Sequence, residues 1–384
     1  MLSLRGRLRC RNDISHRGES LVFLSDIVIA IIAIALTVFF GLRLYFPVGG
    51  ADVARDDGVA PPLAAVLLFA FIVLLSTRDF AFGVDTLTYA NIFQAYCTDS
   101  NLRDMEFGYR FTSAILNVVM LGACDVRLLP LAWLGCLGLG LKLVAGNGHF
   151  QLAVATTLAT SVVGVELASN ALRQSLAVVL LVAAASRARR QPLAALMLCA
   201  LALLFHESAA LVIAAWLGSS LAWLPLVVAG ALAIAVVAAL VVTGAGAGLP
   251  IEPLIYEVTK YLDHPADELL VRALAALTLV SACIAAMLAA SSPAKAMQFL
   301  KHDDVQRAIK LAATCLPFMI LPYFGYRYIY GIYPLVVLLM LRVCRDLEPG
   351  YMSRTVLVSV AANLVGLLGW ALFSSYMRSV PVYA

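Results

Sequence analysis

The sequence predicts an all-α polytopic membrane protein: one integral domain over residues 1–384 with about twelve spanning helices. Three observations predict it. Hydrophobic residues make up 62% of the chain and charged residues 13%, with a mean hydropathy of +0.94. The apolar runs are long and do not alternate, which suits helices; the only other structure lipid admits is a closed barrel. Lys and Arg gather in a few short connections between those runs. A water-soluble enzyme is excluded, and a net charge of +4 scattered among loops gives no support to a nucleic-acid partner. The eight cysteines form no C-x-x-C pair and have no His companion at ligand spacing, so most read as small apolar core residues.

Taken in order, the first run follows Arg5, Arg7, Arg9, Arg11 and Arg17 and covers 21–45. It is long for the core of a signal peptide and lacks a small-residue cleavage site, so it reads as a retained helix. Further runs lie near 60–77, 127–145, 150–168, 171–186, 192–205, 208–223, 225–243, 269–290, 309–324, 328–344 and 355–373. Each approaches the ~20 residues a span requires, with allowance for short or tilted helices. The stretch 109–122 is shorter and amphipathic, and its length favours a re-entrant or interfacial helix.

Orientation follows the Lys/Arg bias of the short connections. Arg187, Arg189 and Arg190, then Lys295, Lys301, Arg307 and Lys310, then Arg342, Arg345 and Arg354 fall on one side, assigned to the cytoplasm. The connection 291–308 is the main cytoplasmic one. Alternation puts Arg173, the His206-Glu207-Ser208 turn, the loop 244–268 and Tyr326-Arg327-Tyr328 on the external side. If 109–122 does not cross, the loop 78–126 is external as well, which gathers Asp85, Tyr89 and Glu106 with the other polar groups. The cost of that reading is an external Arg-rich N-terminus, against the positive-inside rule.

The external inventory suggests chemistry. Glu166, Asn170, Arg173 and Gln174 fall close to one helical face, and an arginine at a membrane edge reads either as a snorkelling cation or as part of a site. Asp85 and Tyr89 are one helical turn apart, and Glu106 precedes Gly108-Tyr109. A surface carboxylate is commonly just solvated; as a general base it must reach a hydroxyl within hydrogen-bonding distance. His206 is either an interfacial anchor or a group suited to proton transfer. Arg327 stands among rings that also fit an aromatic belt, yet Arg173 and Arg327 together suit a phosphate clamp, because the planar guanidinium matches phosphate oxygens.

In order, Gly-Val-Asp-Thr-x-x-Tyr (83–89), Glu-x-Gly-Tyr (106–109), Leu-Arg-Gln-Ser-Leu-Ala (172–177), Phe-His-x-Ser-Ala (205–209) and Tyr-Arg-Tyr (326–328) resemble the EpsG family of Wzy-type exopolysaccharide and O-antigen polymerases. The resemblance runs from about 60 to 345 and rests on order and spacing, no single motif being specific. It implies a GT-C-like glycosyltransferase of the bacterial inner membrane, its site facing the periplasm. Such an enzyme joins polyprenyl-diphosphate-linked glycan donor and acceptor, with a flippase delivering repeat units and a chain-length regulator as partners. Carried over by position, Arg173 and Arg327 would hold the lipid pyrophosphate, with Gln174, Tyr89, Tyr326 and Tyr328 as binding positions. Asp85, Glu106 and His206 match the acidic and histidine positions, and the pattern leaves the base open between them, His206 and Asp85 ranking ahead of Glu106. Glu207 departs from the pattern, where a basic residue is frequent, as does the Arg-rich extension before residue 20.

Transfer from a lipid diphosphate needs no nucleotide, because the departing diphosphate is a stabilised anion; accordingly no Gly-rich phosphate loop occurs. Two head groups must be bound, an oxocarbenium-like centre shielded and one proton removed. No Asp-x-Asp pair lies on the external side and the adjacent Asp303 and Asp304 read as cytoplasmic, so neither a metal nor another cofactor is expected. A ligase that passes the glycan to a different acceptor would need the same clamp. A lipid-linked-sugar transporter would instead place its charges near the midplane on broken helices.

Overall fold

The computed structural model describes residues 106–119, 129–169, 171–223, 269–315 and 324–373, apart from Asn147 and Pro349, with isolated positions near 92 and 228. All regular structure among them is helical. The order is α1 (Phe107–Val119), α2 (Leu129–Lys142), α3 (Gly148–Ala159), α4 (Val162–Ser169), α5 (Leu172–Arg187), α6 (Pro192–Phe205), α7 (Ala209–Gly218), α8 (Leu269–Ala289), α9 (Pro293–Lys301), α10 (Asp303–Ala313), α11 (Phe324–Leu347) and α12 (Tyr351–Phe373). The runs expected at 21–45, 60–77 and 225–243 and the loop 244–268 lie outside the described residues. One described stretch, Tyr328–Leu347, is by itself long and apolar enough to cross a bilayer; Pro192–Phe205, Ala209–Gly218 and Ala276–Ala289 are apolar but shorter.

On α6 and α8 the packing is inverted relative to a soluble bundle. On α6 the inward positions are Ala195, Cys199 and Ala202, while Leu193, Leu196, Met197, Leu201 and Leu204 face out. On α8 the inward set includes Ala282, Ala285, Ala286 and Ala289, and Leu277, Val280, Ile284 and Leu288 face out. Small residues let backbones approach where lipid supplies no hydrophobic contrast between one leucine and another, and large side chains then meet the acyl chains. In water the same surface would be an extended apolar patch. The chain is a helical membrane protein.

At the centre stands α11, whose residues 328–341 are all buried. It contacts α3, α4, α5, α7, α8, α9, α10 and α12, and a helix apolar on every side belongs in that position. Pro334 lies inside it, tolerated because neighbouring helices surround the disturbed turn. Gly331 admits α7: a Cβ there would come within 2.4 Å of the Val212 side chain. Beyond α11, Gly350 turns the chain with φ +74, and Glu348 accepts from Ser291 Oγ at 2.7 Å and from Arg354 Nη2 at 2.8 Å. The Ser291 hydroxyl first, then the Arg354 guanidinium, hold the Glu348 carboxyl below its ordinary range.

The run expected at 150–168 is interrupted at Thr160-Ser161. Thr160 Oγ1 donates to Thr156 O at 2.9 Å, which Thr160 N also reaches, and Gly164 N donates to Ser161 Oγ at 2.9 Å, so the Ser161 hydroxyl satisfies a first-turn donor of α4. From α12, Asn363 Nδ2 donates to Thr157 O at 3.0 Å and lies 3.4 Å from Tyr333 Oη. Gly164 is required by this bend, since a Cβ would stand 1.8 Å from the Leu158 carbonyl oxygen. Gly164→Ala is therefore expected to cost about 1–3 kcal/mol, the usual range for overpacking, read as a lower thermal midpoint in detergent. Gly366→Ala, whose Cβ would meet nothing within 4 Å, is expected to leave the midpoint unchanged or raise it slightly. An unchanged midpoint for Gly164→Ala would show that the bend relaxes freely.

Two expected segments, a connection and an apolar run, differ in detail. Residues 291–308 include α9 and most of α10, with Ser292 capping α9 through Lys295 N at 3.3 Å and His302 Nδ1 accepting from Asp304 N at 3.2 Å to start α10. The apolar run near 309–324 begins inside α10, which is strongly amphipathic and turns Val305, Ala308 and Leu311 inward. At the same end, Arg189 Nη2 donates to the buried Asp304 Oδ1 at 2.7 Å, and Arg342 approaches Oδ2 at 3.8 Å.

Candidate active site

A helix pair of opposite direction sets the frame. From Leu172 to Arg187, α5 descends through the bundle; a short turn and Pro192, suited to a first helical turn, send α6 back. Residues 173 and 205 thereby return to one end, some 20 Å from the Asp304 cluster on a rise of ~1.5 Å per residue. Against the end of α6 lies the start of α1. Gly108 makes this approach possible: a Cβ would be 2.7 Å from Leu204 O and 2.8 Å from the Phe205 ring. Tyr109 is buried with Phe93 and Leu176, and Phe205 packs on that cluster.

This approach delivers Glu106 to Arg173, and the two form an ion pair between Oε2 and Nη1, both partly exposed. A charge-assisted contact of this kind orients the guanidinium and balances its charge. Gln174 is 2% exposed and faces the interior. Glu166 is also buried, but on α4; its carbonyl accepts from Ala171 N at 2.9 Å where the chain turns into α5. Glu166 and the pair Arg173 and Gln174 thus stand on two helices rather than in one stripe, and Asn170 lies outside the described residues.

His206 ends α6 in an extended conformation, φ −159 and ψ 129, and its Nδ1 accepts from Ser208 N at 3.1 Å. With Nδ1 accepting, the neutral ring carries its proton on Nε2 and offers a donor there. Tyr328 is buried, its Oη 3.0 Å from Oγ1 of Thr314, which caps the end of α10. Tyr326 and Arg327 lie on the first turn of α11, whose backbone alone is described there. At the other end of α11, Arg342 Nη2 donates to Ser186 O at 3.4 Å. Arg173 is thirteen residues before Ser186 and Arg327 fifteen before Arg342, so each stands ~20 Å along its own helix from that contact. Asp85 and Tyr89 lie outside the described residues, as do Asp263 and His264.

One residue of this region went unnoticed in the sequence: Arg110, whose backbone N donates to Glu106 O at 3.2 Å and whose Nε is buried without a hydrogen-bond partner. Its spacing of four from Glu106 was legible, but the helix was read only as amphipathic. Among the described residues no group of His, Cys, Asp or Glu is disposed to hold a metal ion.

The family model described as EpsG matches residues 63–360. The chain belongs to the EpsG family. No curated protein and no solved structure matches it. The EpsG match spans Glu106, Arg173, His206 and Arg327, and membership makes the chain a polysaccharide-polymerase-type membrane protein related to glycosyltransferase-like polymerases. The helices that carry Glu106, Arg173 and His206 pack on one another, α1 and α5 both against α6.

Proposed function

We propose that this EpsG-family protein joins polyprenyl-diphosphate-linked oligosaccharide repeat units on the external face of the bacterial inner membrane, as a GT-C-like enzyme with about twelve spans. The observation that carries the reading is the Glu106–Arg173 ion pair at one end of an inverted, lipid-facing bundle. An oriented guanidinium at a helix end suits the binding of a diphosphate head group whose tail remains in lipid, and the His206 imidazole ends the neighbouring antiparallel helix. Arg327, near the start of α11, is the second clamp cation. Gln174, Tyr89, Tyr326 and Tyr328 shape the binding region, the buried Tyr328 from behind.

In the first step the acceptor hydroxyl attacks the anomeric carbon, its proton passes to a base, and the C–O bond to the diphosphate breaks. Glu106 is engaged in orienting Arg173, and His206 offers a donor to an anion. Both features favour Asp85 as the proton acceptor. Under saturating donor, Asp85→Asn is expected to lower the turnover number by ~10²- to 10⁴-fold, the range of a lost general base. His206→Gln, which keeps a donor, is expected to lose far less. Near-normal turnover in Asp85→Asn would move the base elsewhere, with Asp263 and His264 the next residues to test.

The activity itself is tested by reconstituting the purified chain in lipid with a polyprenyl-diphosphate-linked repeat unit and separating products on a gel. A ladder is expected. A single product on a different acceptor would favour a ligase, and no product with either acceptor would leave the enzyme reading without support.

A further inference from the structure

Helix α1 carries two stripes. Glu106, Arg110, Ser113 and Asn117 recur at spacings of four, three and four, and Phe107, Phe111, Ile115 and Val118 at four, four and three, so each set keeps to one face. The four apolar side chains are exposed, the rings of Phe107 and Phe111 stacked 6.0 Å apart. The polar stripe turns inward: Glu106 reaches Arg173 on α5, and Ser113 is 1% exposed. A helix with an apolar outer face and a polar inner one borders lipid on one side and a polar interior on the other.

On that inner stripe two shielded groups have no hydrogen-bond partner, Arg110 Nε and Ser113 Oγ, at positions three apart. Leaving a polar group buried and unpaired is unfavourable, the more so on a cation that keeps its charge at any accessible pH. A local remedy was at hand, because Glu at i and Arg at i+4 is the favoured order for a helix pair. Instead the Glu106 carboxylate pairs with Arg173, and no ion pair among the described residues compensates Arg110.

We propose that Arg110, assisted by the Ser113 hydroxyl, is a second anion-holding position of this site. It takes one phosphate of a diphosphate-bearing amphiphile while Arg173 takes the other, and the exposed Phe107–Val118 face lies along the tail. This rests on the lipid-carrier reading above and adds to it a binding residue outside the motifs that mark the family resemblance.

The test uses the full chain in phosphatidylcholine nanodiscs, titrated with farnesyl diphosphate, farnesyl monophosphate and inorganic diphosphate. Arg110→Gln is expected to weaken farnesyl diphosphate binding by about tenfold or more, the loss of one charge-assisted hydrogen bond. Arg110→Lys, which keeps the charge and guards against a folding defect, is expected to recover only part of it, and Ser113→Ala to weaken binding by a few fold. The monophosphate is expected to respond less than the diphosphate. Arg110→Gln binding within twofold of the parent, while Arg173→Gln loses affinity, overturns this proposal and leaves the lipid-carrier reading standing. Parent protein that binds no farnesyl diphosphate overturns both. Inorganic diphosphate bound as tightly as the farnesyl compound identifies a free anion and overturns the amphiphile.

Discussion

Replacing Arg173 by Ala is expected to lower polymer formation by ~10²-fold or more while the protein still inserts into the membrane, because a preorganised cation facing the departing diphosphate is removed. Arg173→Lys should recover little, because a point charge does not reproduce the planar fork that pairs with Glu106 and that the proposed clamp also sets on phosphate oxygens. Arg327→Ala is expected to show the same loss if both hold one diphosphate. The pair itself can be separated from the chemistry by a double-mutant cycle. If Glu106 only positions Arg173, then Glu106→Gln with Arg173→Ala should be no worse than Arg173→Ala alone, whereas multiplied losses would give Glu106 a role of its own. Product ladders from membranes of equal protein content supply the readout, and full activity of the Lys variants would reduce the clamp to a general electrostatic effect.

The largest loss of stability is expected at the other end. Asp304 is 1% exposed and faces Arg189 and Arg342, so Asp304→Asn leaves two cations near one another with no counter-charge. Breaking a buried pair in this way costs about 3 kcal/mol. Arg189 is 61% exposed, and Arg189→Ala should cost less than ~1 kcal/mol, as for a solvent-screened pair. Thermal midpoints in detergent separate the two. Equal midpoints for Asp304→Asn and the parent would show that solvent already screens the aspartate.

Much of the helix pattern was legible, because each segment pairs a long apolar run with polar ends: 171–186, 192–205, 269–290 and 355–373 correspond to α5, α6, α8 and α12 within a few residues. The break inside 150–168 was not. Thr160 and Ser161 are common enough within spans, and what makes them a bend is the contact of Gly164 with Leu158 and the arrival of Asn363 from some two hundred residues away. The polar end of the molecule was legible as a gathering of Glu106, Arg173 and His206, but the partner of each was not. Pairing Glu106 with Arg173 depends on the close seat of Gly108 against α6, a property of three helices at once. Likewise Asp304 read as one of two adjacent acids in a charged connection, and only the packing of α10 beside α11 makes it the counter-ion of Arg342.

The inverted packing of α6 and α8 also reverses the map of which substitutions the chain can absorb. In a water-soluble core, damage comes chiefly from making side chains smaller, since holes open where water cannot enter. Here the seams are closed by alanine at Ala195, Ala202, Ala282 and Ala286, and added bulk at those places has nowhere to go without parting two helices. Along Leu193, Leu196, Leu277 and Ile284, by contrast, one hydrocarbon shape serves nearly as well as another, because the neighbour is fluid. Drift along α6 and α8 is therefore free at their outward leucines and confined at their inward alanines.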